Sequence, residues 1–142
     1  MKSFVKADSK ETLIKKALAA RDKAYAPYSR FAVGAALLCA NGNIYTGCNI
    51  ENSAFTPTVC AERVAFYKAV SEGVVDFTAI AIVGGREGEN VSKMISPCGV
   101  CRQVMSEFCS PENFEIYLYD GIKISAYKLV ELLPLGFSKD SL

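Results

Sequence analysis

The sequence predicts an α/β fold with a mixed sheet, on three observations. The elements run helix, hairpin, then helix–strand–helix–strand, an order that pairs strands in both directions within one sheet. Residues 77–83 are apolar but for Thr78, the pattern of a strand covered on both faces. A proline-marked helix start lies between that strand and the next, so the two run parallel through a right-handed crossover. With 142 residues, 51% of them hydrophobic, and no repeat or linker, residues 1–142 are read as one domain with its own core.

Each element has a local reason. Asp8 with Glu11 makes a capping box for a helix to about residue 24, which buries Leu13, Ile14, Ala17 and Leu18. Residues 31–39 form the first strand, and Asn41-Gly42 predicts a type I′ hairpin into a second strand over 44–49. Pro57 opens a helix that Gly73 ends. Residues 84–95, rich in glycine and charge, read as a loop. Ser96-Pro97 then caps a third helix to about residue 108. Residues 114–119 are a fourth strand, 122–125 a short fifth, and 127–133 a short helix before Pro134.

Composition excludes whole classes of function. There is no histidine among the 142 residues, so no Ser-His-Asp or Cys-His machinery and no imidazole metal ligand can exist. A net charge of +1 gives no bulk attraction to nucleic acid or to a membrane surface. The first residues carry charge but no apolar leader core, and no apolar run approaches membrane-spanning length, so a cytoplasmic chain is expected. In that reducing compartment the six cysteines are read as thiols.

Three cysteines stand in informative surroundings. Cys60-Ala61-Glu62-Arg63 lies near the second helix start, and Pro97-Cys98-Gly99-Val100-Cys101-Arg102 opens the third. Cys98 and Cys101 fall on one helical face, and a helix N-terminus favours the thiolate that binds metal. Three thiolates on Zn²⁺ leave one tetrahedral position for water, the catalytic arrangement, and Glu62 beside them can move protons in place of histidine. Zinc with three thiolates carries net negative charge, so guanidinium hydrogen bonds from Arg63 and Arg102 to the sulfurs are expected to restore Lewis acidity. A lone Cys-x-x-Cys also fits a redox pair, or a structural zinc site with Cys48 or Cys109 as fourth ligand. The conjunction of Cys-x-Glu with Pro-Cys-x-x-Cys is far more specific than either part.

These motifs resemble those of the zinc-dependent nucleoside deaminases. The all-cysteine ligand set in a chain of this length is similar to the small homotetrameric cytidine deaminase family. The likeness extends through Tyr28-Ser29-Arg30-Phe31-Ala32-Val33-Gly34-Ala35-Ala36, Asn49-Ile50-Glu51-Asn52, the two cysteine motifs with Gln103, and Leu132-Leu133-Pro134. It implies a three-layer α-β-α fold with a mixed five-stranded sheet and one Zn²⁺ per chain on Cys60, Cys98 and Cys101. It also implies hydrolytic attack of zinc-activated water on C4 of cytidine or 2′-deoxycytidine, with Glu62 as proton shuttle and uridine and ammonia as products. Asn49 and Glu51 are then expected on the ribose hydroxyls, Phe31 against the pyrimidine and Ala61 along the substrate. Phe55 and Phe137 are expected at pockets shared between subunits. By residue type alone, Asn49–Asn52 is a polar loop and Phe31 a core aromatic at a strand start. Phe55 stands where many relatives carry Tyr, which removes a hydroxyl. The alternatives are a deaminase of another aminopyrimidine nucleoside such as blasticidin-S, and a non-catalytic structural zinc or redox module.

Overall fold

Alternation along the strands separates two cores. The computed structural model describes the backbone of residues 2–142 and the side chains from residue 10 onward. Its elements are α1 (Lys2–Arg21), β1 (Phe31–Cys39), β2 (Ile44–Cys48), α2 (Ala61–Ser71) and β3 (Phe77–Arg86). They continue with α3 (Gly99–Phe108), β4 (Glu115–Tyr119), β5 (Ile124–Lys128), α4 (Leu129–Leu132) and a final 3₁₀ turn, Lys139–Ser141. One five-stranded sheet has the order β2-β1-β3-β4-β5. β1 runs antiparallel to both neighbours, β3 and β4 run parallel, and β5 returns antiparallel. The mixed sheet and the parallel β3–β4 pair are as the sequence predicts.

In β3, Ile80 and Ile82 face one layer while Ala79, Ala81 and Val83 face the other. α1 lays Leu13, Ile14 and Ala17 on the alanine-rich face. On the opposite face α2 and α3 bring Ala61, Ala65, Phe66, Ala69, Cys101 and Met105 against Leu37, Ile80, Ile82, Ile116 and Leu118. Phe66, fully buried, centres an aromatic group with Phe77 at 5.0 Å edge-on and Phe108 and Phe114 at 6.2 Å. This second core carries the starts of both cysteine-bearing helices.

Several boundaries differ from the sequence reading, each for a structural reason. α1 begins at Lys2, so Asp8 is inside the helix instead of capping it. The hairpin has a single positive φ, 92° at Gly42, with Gly42 N donating to Cys39 O at 3.0 Å. A type I′ turn needs two such residues, so this is the longer turn with a glycine bulge. α2 starts at Ala61 and not at Pro57, because Val59 is held extended by exchanging two 3.0 Å hydrogen bonds with Ile50. α3 starts at Gly99, with Cys98 and not Ser96 at its N-cap. β3 continues through Gly84-Gly85-Arg86, since β1 supplies ladder partners as far as Phe31.

Gly47 sets how closely α2 sits on the sheet. A Cβ there would overlap the Ala61 carbonyl oxygen and lie 2.7 Å from Ala65 N. Gly47→Ala is therefore expected to cost about 1–3 kcal/mol through overpacking. An unchanged denaturant midpoint would show that α2 shifts without penalty.

Candidate active site

Both cysteine motifs sit at helix starts whose caps leave sulfur free. Cys60 is the N-cap of α2 and Cys98 that of α3, both with extended backbone. An N-cap side chain ordinarily accepts from the first-turn amides, but neither thiol does so here. Cys101, in the first turn of α3, is 1% exposed. The three sulfurs lie within 4.8 Å of one another, Cys60 and Cys98 at 3.7 Å.

This donor set fits a thiophilic divalent ion. Three convergent sulfurs at two helix N-termini are tetrahedral zinc chemistry with one position left over. A fourth sulfur does not join them: Cys39 and Cys109 are buried in the core, and Cys48 donates to Lys23 O at 3.4 Å. All six cysteines are free thiols. The four-sulfur structural site therefore lacks its fourth ligand among the described residues.

Glu62 is 4% exposed beside the triad, and burial pushes its carboxyl up to about 7. The Cys60 thiolate pushes the same way, against Arg63 and hydrogen bonds from its own backbone and Cys101. Cys60 is lowered to about 5, chiefly by hydrogen bonding from Cys101, with Arg63 and Cys98 contributing. Hydrogen bonding to Cys60, and after it burial, pushes the Cys101 thiol upward.

The two arginines separate in role. Arg63 donates from a terminal guanidinium nitrogen to Cys60 Sγ at 3.5 Å, and its Nε is buried without a protein acceptor. Arg102 departs from expectation, because the backbone around it offers better acceptors than sulfur. Its guanidinium binds Pro97 O at 2.7 Å, Leu132 O at 2.5 Å and Ser96 Oγ at 3.1 Å. It makes no hydrogen bond to a cysteine; it fixes the turn before Cys98 to the end of α4. Arg63→Gln is expected to lower zinc affinity roughly 10–100-fold, the cost of a lost outer-shell partner. Unchanged zinc content in competition with a chelator would refute this.

The expected nucleoside residues form a second group. Asn49 accepts from Val33 N and donates to Phe31 O, both at 2.8 Å. Glu51 Oε1 accepts from Tyr28 N and Ser29 N at 3.0 Å, and Oε2 accepts the Ser29 hydroxyl. These bonds, the Ser29 hydroxyl foremost, hold the Glu51 carboxyl below its usual range. The Ile50–Val59 bridge ties this group to the strand leading into Cys60. Ala61 is fully buried at the first position of α2.

Two clefts adjoin these residues. One, about 280 Å³, is lined by Tyr28, Ser29, Glu51, Asn52, Phe55 and Thr58. The other, about 440 Å³, runs from Ser29 and Phe31 to Ile95. The triad lines neither. Phe55 and Phe137 are 85% and 61% exposed, while Gln103 of α3 donates to Phe137 O at 2.8 Å and anchors the C-terminal segment. Ser29, which touches both clefts, carried no signal of its own in the sequence; its hydrogen bonds become visible only when residues 28–31 and 51 meet.

Residues 7–115 match the family model described as the cytidine and deoxycytidylate deaminase zinc-binding region. The chain belongs to this deaminase family. Among relatives within it, a cytidine deaminase of Sporosarcina psychrophila is 52% identical over 93% of each chain. The crystal structure of cytidine deaminase from Burkholderia pseudomallei superposes with a TM-score of 0.80 at 43% identity, covering 89% of this chain and 98% of that one. A blasticidin-S deaminase of Bacillus cereus is more distant, 34% identical over 76% of this chain and 78% of its own length. The deaminase family is a zinc-binding one, and the sulfur cluster is the feature of this chain that meets that requirement.

Proposed function

We propose that this chain is a cytidine deaminase: it hydrolyses the 4-amino group of cytidine and 2′-deoxycytidine, giving uridine or 2′-deoxyuridine and ammonia. The supporting observation is the convergence of Cys60, Cys98 and Cys101 beside buried Glu62. In this reading the three cysteines hold one zinc ion, which when bound supplies the Lewis acidity that activates water. Glu62 takes a proton from the water and gives it to N3 of the pyrimidine. It then passes a second proton from the attacking oxygen to the departing amine. Burial raises its proton affinity toward neutrality, which suits a group that must both accept and donate. Arg63 draws charge from the Cys60 sulfur, and Arg102 positions the turn carrying Cys98.

Phe31 packs on the base, Ala61 lies along it, and Asn49 and Glu51 grip the sugar hydroxyls. A sugar-gripping pair favours a plain ribose or deoxyribose over blasticidin-S. The exposed rings of Phe55 and Phe137 fit a homotetramer with shared active sites, in which each ring serves a neighbour's pocket. Residues 1–142 then form one catalytic domain of a cytoplasmic nucleoside-salvage enzyme. Among the described residues no helix is long and apolar enough to cross a membrane, and the cysteines are unpaired.

The test is direct. Purified protein with cytidine should lose the cytidine ultraviolet absorbance and release equimolar ammonia, with blasticidin-S turned over poorly in parallel. Absence of ammonia overturns the proposal, and light scattering reads the tetramer separately.

A further inference from the structure

The two expected sugar contacts are also the two supports of the expected base contact. Asn49 Nδ2 holds the carbonyl of Phe31 at 2.8 Å. The amide N–H of Phe31 donates to Ser29 Oγ at 3.0 Å, and that same hydroxyl donates to Glu51 Oε2. Arg30, between Ser29 and Phe31, takes a left-handed φ of 58°, a conformation a non-glycine residue keeps only when its neighbours enforce it. Ser29 thus uses its donor and an acceptor in opposite directions, toward Glu51 on one side and toward Phe31 on the other.

The remaining valence of Glu51 follows by count. A carboxylate has about four lone-pair sites. The Tyr28 and Ser29 amides occupy Oε1, and the Ser29 hydroxyl occupies one site on Oε2. One acceptor site is left on Oε2, suited to a single hydroxyl donor, and its direction is set by the Ser29 bond. Ser29 lines both clefts, the one beside Glu51 and the one beside Phe31.

Resting on the nucleoside reading above, we propose that Ser29 is a positioning residue that joins sugar recognition to base packing, by aiming the free acceptor of Glu51 at the sugar 3′-hydroxyl, the ring hydroxyl that cytidine and 2′-deoxycytidine share, and fixing the backbone that carries Phe31. Its loss leaves Glu51 with only its Oε1 bonds, so the carboxylate can rotate away, and leaves the Phe31 amide without its partner.

The experiment compares cytidine with 3′-deoxycytidine on the wild-type zinc enzyme, Ser29→Ala and Ser29→Thr. Wild-type protein should prefer cytidine strongly in kcat/KM. Ser29→Ala should lower kcat/KM for cytidine roughly tenfold, the scale of a lost hydrogen bond to a charged group, mainly through KM. The preference over 3′-deoxycytidine should shrink by a similar factor. Ser29→Thr keeps a hydroxyl and should retain the preference. If Ser29→Ala keeps the wild-type ratio between the two substrates, the coupling is refuted even when overall activity falls. A wild-type enzyme that deaminates cytidine but does not distinguish the two substrates also overturns it. A wild-type protein inert toward cytidine overturns the functional reading and this inference with it.

Discussion

Glu62→Ala is expected to lower kcat for cytidine by roughly 10²–10⁴-fold, the range for losing a positioned proton-transfer group. Zinc content should stay at one ion per chain, because Glu62 is not among the three convergent sulfur ligands. The fold should also survive. Glu62 is 4% exposed in the first turn of α2, and replacing it with alanine removes a buried carboxyl that burial already disfavours ionising. Metal analysis and circular dichroism on the same sample separate lost chemistry from lost structure. Activity persisting within a few-fold of wild type would refute the shuttle even if deamination itself is real.

Cys101→Ala should abolish stoichiometric zinc and, with it, turnover. Cys101 is the most buried ligand, 1% exposed within the core between α2 and α3, so no water or neighbouring side chain replaces it easily. Losing a ligand should weaken the ion more than the roughly 10–100-fold typical of an outer partner. A ligand that binds the native state at 100 times its Kd stabilises it by about 2.7 kcal/mol. In a chain of this size that corresponds to roughly 5–10 °C in Tm. Chelator should therefore lower the Tm of the wild-type protein and leave Cys101→Ala nearly unmoved. A variant that retains one zinc per chain would remove Cys101 from the ligand set.

The parts of this site legible in the sequence were those encoded locally. Cys60-x-Glu62 and Cys98-x-x-Cys101 each fall within one helical turn, so spacing placed each motif near a helix start and Cys98 with Cys101 on one face, while the fold brings the two starts together. Arg63 was legible for the same reason, three residues from the sulfur it binds. What escaped was set by distant partners. Pro57 looks like a helix opener until Ile50 claims Val59 in a bridge. Gly84-Gly85 looks like a loop until β1 pairs with it. Arg102 stands next to a ligand in sequence, yet three oxygens, one of them 30 residues away, take its guanidinium. Ser29 is one serine among several until Glu51 folds back onto its turn.

The 3.7 Å contact between Cys60 and Cys98 has a consequence for handling the protein. A disulfide requires about 2.05 Å between sulfurs, so only a short closure separates this pair from a bond. Cys98 is open to solvent, where an oxidant can reach it. A chain stripped of its ion therefore holds a latent dithiol, and once that pair is oxidised the ion cannot return until a reductant reopens it. An ion bound by these sulfurs would hold the pair apart and so act as a protecting group for its own ligands.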